Sequence, residues 1–322
     1  MSSYVSKKTA LVFIFTISLI VSVCLFISSL TEEKKRLGIN TENVYSALNQ
    51  LVVLPYEASV SYGKGTKDGP KAIIKASHYI EFYDEEFNNE LCFEKGIATI
   101  KELDFKKLKN RPAINYIYDK TKKILELNKL CIVLGGEHTI SLAPIKAHLE
   151  KYNNLSVLHF DAHSDLRNKY QNNLYSHACV MARVCEFLDP KKLIQVGIRA
   201  QSIEESKYIK SNKINTFYAW KIKTGEYGDN WQKEVAKKLS KDVYVTFDVD
   251  YFDPSIMPST GTPEPNGFQW DETIQIFREM NKLGKRIVGF DVVELAPKKN
   301  IIHPNYLAAK LVYKLLNFAK IP

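Results

Sequence analysis

Hydrophobic positions in this chain fall into short unbroken runs, with segments of helical periodicity between them. The runs are Leu51–Pro55, Leu130–Leu134, Leu155–Phe160, Leu193–Val196, Val243–Phe247 and Ile287–Phe290. Helical spacing covers 71–79, 113–128, 140–150, 177–188, 201–212, 231–240, 270–283 and 304–319. Strands that are apolar throughout, rather than alternating, are buried on both faces. Alternating with helices, they predict a parallel sheet covered on each side. The stretch 56–70, rich in glycine and ending in Gly69-Pro70, reads as a surface loop. No internal repeat or low-complexity segment interrupts the pattern after residue 130, and a single domain over 44–322 is expected.

The N-terminal 43 residues read differently. No charge occurs from Thr9 to Thr31, and Ala10–Ile27 is almost wholly apolar. A helix that spans a bilayer needs about 20 such residues, so an anchor is expected at about 9–31. The flanks, Lys7-Lys8 before and Lys34-Lys35-Arg36 after, favour a single-pass membrane protein whose folded part faces the cytoplasm. A cleaved signal peptide or a misplaced start are the alternatives. The exit Ile27-Ser-Ser29 is a poor cleavage site, and Val23 before Cys24 argues against lipoprotein processing.

Composition narrows the class. The chain has 322 residues, is 45% hydrophobic and carries a formal charge of +9, enough for a large core and a basic surface. The lysines are spread over many helix faces, without an arginine-rich or aromatic-interleaved patch, which argues against a nucleic-acid partner. Five cysteines, an odd number with no Cys-x-x-Cys pair, suit buried thiols in a reducing compartment.

Polar clusters follow four of the apolar runs, at the carboxyl ends where open α/β sheets bind ligands. They are Gly135-Gly-Glu-His-Thr139, Asp161-Ala-His-Ser-Asp165, Asp248-Val-Asp-Tyr-Phe-Asp253 and Asp291-Val-Val-Glu294. In an extended chain, residues two apart point the same way, so Asp161, His163 and Asp165 are expected to converge. A lone aspartate after a strand is ordinarily a cap or turn residue. Two alternating sets feeding one crevice point instead to a cation that offsets their repulsion. Four aspartates and two histidines suffice for two ions if Asp161 and Asp248 bridge. The oxygen-rich donor set suits Mn²⁺, with Zn²⁺, Co²⁺ and Fe²⁺ as alternatives.

Three of these segments, with Thr246–Pro254 as the third, resemble the signatures of the ureohydrolases, the arginase and agmatinase family. Similarity extends through Ser61–Pro70, Val196-Gly-Ile-Arg199, Gly261–Pro265 and Asp291–Pro297. The resemblance implies a three-layer α/β/α fold around a parallel sheet of about eight strands. It implies two Mn²⁺ per subunit, one held by His138, Asp161, Asp165 and Asp248, the other by Asp161, His163, Asp248 and Asp250. His177 then shuttles a proton to the leaving amine, and Glu294 receives the guanidinium. A homotrimer or hexamer is implied as well.

Leu166-Arg167, Tyr175–Met181 and Gly261–Pro265 look like the agmatinase branch. The expected reaction is hydrolysis of agmatine to putrescine and urea, in polyamine biosynthesis. Aminopropylagmatine, guanidinobutyrate and arginine are alternative substrates, and a single-zinc deacetylase-like amidohydrolase is an alternative class. Asn266-Gly267 departs from the family's usual Gly-Gly. Other polar residues have plainer readings: Asp253-Pro254 as a turn, His159 as a core or supporting histidine, Arg199 as an ion-pair partner. Glu137 is read as a capping or supporting group, and His78, His148 and His303 as surface or capping residues.

Overall fold

A computed structural model describes residues 47–319. Its eight strands are β1 (Asn49–Leu54), β2 (Ile97–Thr99), β3 (Leu130–Gly135), β4 (Leu155–Phe160), β5 (Leu193–Ile198), β6 (Asn215–Tyr218), β7 (Asp242–Asp248) and β8 (Arg286–Val293). All pair in parallel, in the order β2-β1-β3-β8-β7-β4-β5-β6. Two of them, β2 and β6, were not evident in the sequence. Each has four residues or fewer and lies at a sheet edge, where half-buried positions break the apolar run.

Alternate strand residues face opposite layers. Ile132, Leu134, Leu158, Phe160 and Val245 pack under helices Gly69–Ser77, Trp231–Lys238, Trp270–Lys282 and His303–Phe318. Cys131, Val133, Val157 and Tyr244 pack under Asn110–Glu126, Leu142–Lys151, Val180–Val184 and Ile203–Asn212. Cys92, Cys131, Cys179 and Cys185 are all free thiols.

Strand order positions the site. The chain runs from β3 to β4 across a gap that β8 and β7 later fill, so the four strands that carry polar clusters become neighbours. Register pairs Phe160 with Phe247 and Asp248 with Val293. Asp161 and Asp248, each one residue further on, therefore sit side by side.

The expected spanning helix is corrected. Among the described residues no helix is long and apolar enough to cross a membrane. The longest has 17 residues, short of the roughly 20 required. The segment at about 9–31 lies outside the described residues, and the membrane localisation drawn from it is withdrawn with it.

His148 corrects a second expectation, because it is fully buried rather than at the surface. Its Nδ1–H donates to the Pro144 carbonyl at 2.6 Å, and its ring lies 4.7 Å from that of Tyr244. Burial pushes its pKa down to about 4, so it packs as a neutral ring. A Cβ on Gly289 would fall 2.1 Å from His148 Nε2. Gly289→Ala is therefore expected to destabilise the protein by about 2 kcal/mol through overpacking, seen as a lower thermal midpoint. Adding His148→Ala should recover much of that loss, since the two changes share one space. Purely additive effects would contradict this account.

Candidate active site

The loops that follow β4 and β7 bring their ligand-type side chains together, but not by strand alternation. β4 ends at Phe160, and Asp165 takes a left-handed backbone with φ of 53°. Val249–Tyr251 forms a 3-10 turn in which Asp248 caps Asp250 N–H at 2.9 Å. Glu294, just beyond β8, is also left-handed, with φ of 65°. Left-handed carboxylate residues at two of four strand ends are local strain, which folded chains retain where geometry serves a site.

His138 Nδ1 lies 3.1 Å from Asp161 Oδ2, 3.2 Å from Asp165 Oδ2 and 3.3 Å from Asp248 Oδ2. Its other nitrogen, Nε2, is 2.9 Å from Thr246 Oγ1, whose hydroxyl donates to Asp291 Oδ1 at 2.7 Å. Thr246 spends its proton on Asp291, so it accepts from Nε2–H, and Nδ1 is the nitrogen that faces the three carboxylates. That nitrogen is buried and makes no hydrogen bond. Three carboxylate oxygens around one buried ring nitrogen need positive charge among them, either a proton on Nδ1, which these aspartates favour against burial, or a cation at that point, so the residues fit a metal.

Ligand-type atoms within 4.8 Å of one another form two groups: His138, His159, Asp161 and Asp165, and Asp161, His163 and Asp250. Asp161 belongs to both. His163 Nδ1 is 2.9 Å from Asp250 Oδ2 and 3.5 Å from Asp161 Oδ1. Without a cation, burial and then the Asp161 charge push Asp165 up to about 7, and burial followed by Asp250 and Asp161 pushes Asp248 well above the carboxylate range.

His159 is held as a supporting group. Gln195 accepts from Thr216 through Oε1 and turns its amide Nε2 to His159 Nδ1, 3.1 Å away. His159 must then carry its proton on Nε2, which lies 2.8 Å from Asp161 Oδ2. Hydrogen bonds of this kind orient a carboxylate and fix the direction of its remaining lone pairs. Arg199 departs from its reading as an ion-pair partner. It donates to the carbonyls of Gly197, Tyr251, Asp250, Phe252 and Glu264, tying the β7 loop to 261–265. Asp253 makes the expected turn, accepting from Ser255 and Gly267 N–H.

A cavity of about 440 Å³ opens over the acidic cluster, and His163, Asp165, His177, Asp248, Asp250 and Glu294 line it. Glu294 Oε1 accepts the His138 N–H at 2.6 Å. Burial, with Glu137 and Asp250 nearby, pushes Glu294 well above its usual range. Burial, followed by charge at His163 and His138, pushes His177 down to about 4.

Sequence reasoning missed the opposite wall, the loop after β1. Ser59 Oγ lies 2.9 Å from His177 Nδ1 and Ser61 Oγ 2.8 Å from Nε2. The loop is seated by Glu137 and by Gly136, where a Cβ would lie 2.0 Å from the Tyr56 carbonyl oxygen. Only the resemblance of Ser61–Pro70 hinted at this wall, because its contacts to His177 span more than a hundred residues.

A parallel α/β/α sheet that gathers carboxylates and imidazoles under a cavity at its carboxyl edge has the plan of a hydrolase with a metal centre. The sequence profile of the arginase family matches residues 49–317, and the chain belongs to that family. It is 35% identical over 274 residues to an N(1)-aminopropylagmatine ureohydrolase of Synechocystis, covering 83% of this chain and 88% of the relative. It is 30% identical over 268 residues to an agmatinase of Pyrococcus horikoshii, covering 83% and 90%. The agmatine ureohydrolase structure of Thermoplasma volcanium superposes with a TM-score of 0.75 at 29% identity, covering 86% of this chain and 92% of that one. The chain is an enzyme of the agmatinase branch, a ureohydrolase acting on guanidino C–N bonds.

Proposed function

We propose that this enzyme hydrolyses agmatine to putrescine and urea with two Mn²⁺ ions. In this reading His138, Asp161, Asp165 and Asp248 hold one ion, and Asp161, His163, Asp248 and Asp250 hold the other. When bound, the ions supply water acidic enough to attack at neutral pH and positive charge to offset the anion that develops. The chain's own residues do the rest. Glu294 keeps Oε2 free for the guanidinium while Oε1 holds the His138 N–H, so the carbon is fixed over the acidic cluster. His177, neutral at rest, takes on Nε2 the proton that the attacking water releases and passes it to the departing amine nitrogen as the C–N bond breaks. A domain of 44–322 and a trimer or hexamer complete the proposal, the latter measurable by sedimentation.

The charge of the cavity wall carries the choice of substrate. Among the described residues no lysine lines the cavity, and one of its two arginines is fully engaged. Arg199 is committed to backbone carbonyls, and Arg167 stacks 5.1 Å from the Tyr170 ring centroid with Glu205 Oε2 3.8 Å from its Nε. Among the described residues of the cavity wall, only the half-exposed Arg167 could meet the carboxylate of arginine or guanidinobutyrate, whereas Glu264 adds negative charge 3.7 Å from His163. A guanidine with an amine tail suits such a wall.

Aminopropylagmatine is the second reading, favoured by the relatives of that name at 34–35% identity. Urea release from agmatine, aminopropylagmatine, guanidinobutyrate and arginine, compared at equal metal loading, tests the proposal. Agmatine should give the highest kcat/KM. A preference for the longer amine would support the second reading, and a preference for arginine would defeat both.

A further inference from the structure

The loop after β1 makes a hydrogen-bonded chain with His177 that the proposed reaction does not by itself require. Glu137 is buried, and its carboxylate accepts four hydrogen bonds. Oε2 accepts the N–H groups of Ala58 and Ser59, each at 2.6 Å, and Oε1 accepts the hydroxyls of Thr139 at 2.7 Å and Ser59 at 3.0 Å. Burial pushes Glu137 up to about 7, yet four donors converge on its two oxygens, the surroundings of a carboxylate, and in that form the Ser59 hydroxyl points its own proton at Glu137. Both lone pairs of Ser59 Oγ then face His177. One accepts the backbone N–H at 3.1 Å, and the other meets Nδ1 at 2.9 Å. Only a protonated Nδ1 satisfies that contact. Ser176 Oγ also approaches Nδ1, but at 3.5 Å. On the far side of the ring, Nε2 meets Ser61 at the cavity wall.

We propose that Glu137, acting through the Ser59 hydroxyl, is a positioning residue that keeps the His177 proton on Nδ1 and turns the Nε2 lone pair to the cavity. The inference rests on His177 as the group that moves the proton. It adds an order of events that the ring alone does not dictate. Nε2 can take a proton because the exposed Ser61 hydroxyl, 2.8 Å away, can rotate toward Tyr170 and accept as well as donate, and the positive charge that results is met through Ser59 by a buried carboxylate. The arrangement has the logic of a nucleophile's histidine held by an acid, with a serine hydroxyl between ring and carboxylate.

The test uses enzyme labelled with ¹⁵N-histidine and loaded with diamagnetic Cd²⁺, because Mn²⁺ would broaden the signals, with His177→Asn to assign the ring. Wild-type His177 should show the Nδ1–H pattern near neutral pH. Ser59→Ala should give mixed tautomers and, with Mn²⁺ bound, a kcat lower by roughly 10- to 100-fold at little-changed KM and metal content. Ser59→Thr should restore both. Glu137→Gln gives the sharpest reading: an amide nitrogen donating to Ser59 reverses the chain, so Nε2–H should become the major form. An Nε2–H pattern in the wild type, or an unaltered Nδ1–H pattern in both Ser59→Ala and Glu137→Gln, would overturn the proposal. The wild-type spectrum needs no variant to fold. If His177→Asn keeps full kcat, the proton-transfer reading fails, while the tautomer result still stands or falls by itself.

Discussion

Asp161→Asn is expected to lower kcat/KM for the guanidino substrate by roughly 10⁴-fold, equivalent to about 5.5 kcal/mol of transition-state stabilisation, and to leave the protein unable to retain either ion. The size follows from position. Asp161 is the one carboxylate in both compact groups of donors, and it is wholly buried. An asparagine keeps the volume but loses the charge on both sides at once. His138→Asn removes a donor from one group only, so it should release one ion and respond to added Mn²⁺. Metal analysis after gel filtration separates the two variants. The apo protein provides the folding control: against burial, His159 and His138 hold Asp161 well below the usual carboxylate range, so Asp161→Asn should lower the apo thermal midpoint modestly while the apo variant stays folded. Two ions per chain in Asp161→Asn would show that the assignment of donors is wrong.

Glu294→Gln should retain both metals and the fold yet lose roughly 10²- to 10³-fold in kcat/KM, about 3–4 kcal/mol. The glutamine carbonyl can still accept the His138 N–H that Glu294 Oε1 accepts now, so the loop beyond β8 keeps its anchor. What disappears is the negative charge that a bound guanidinium draws from this buried acid, together with one charge-assisted hydrogen bond. Guanidinium ion itself is a convenient probe. It should inhibit the wild type competitively and the variant far more weakly. Equal inhibition of both would remove Glu294 from the substrate's binding face.

Both variants depend on residues that stood out in the sequence, though for a partly mistaken reason. Asp161, His163 and Asp165 were expected to converge because an extended chain points alternate side chains one way. They converge because the chain leaves β4 and bends, with Asp165 left-handed and the Ala162 and His163 N–H groups bound by Asp250 and Asp161. Residue types at strand ends were enough to find the donors. Their geometry comes from backbone hydrogen bonds that no spacing rule describes. His148 shows the converse: a polar residue with no motif, placed at the surface by reading and found in the core because Gly289 leaves room for it.

The sequence by itself carried the parallel α/β architecture, the four chemistry-bearing strand ends and the six proposed metal donors, whereas His177 and Glu294 took their roles only from the family resemblance. It could do so because buried strands require apolar runs and cation-binding requires carboxylates and imidazoles, and both are written in residue type. Tertiary structure decided which donors share a point, which nitrogen of His138 faces the carboxylates, and what stands behind His177. Those depend on contacts such as Ser59 with His177 and Thr246 with His138, separated by 118 and 108 residues. A hydroxyl gives its direction only when both of its neighbours are known, and in a parallel sheet those neighbours are set by strand order.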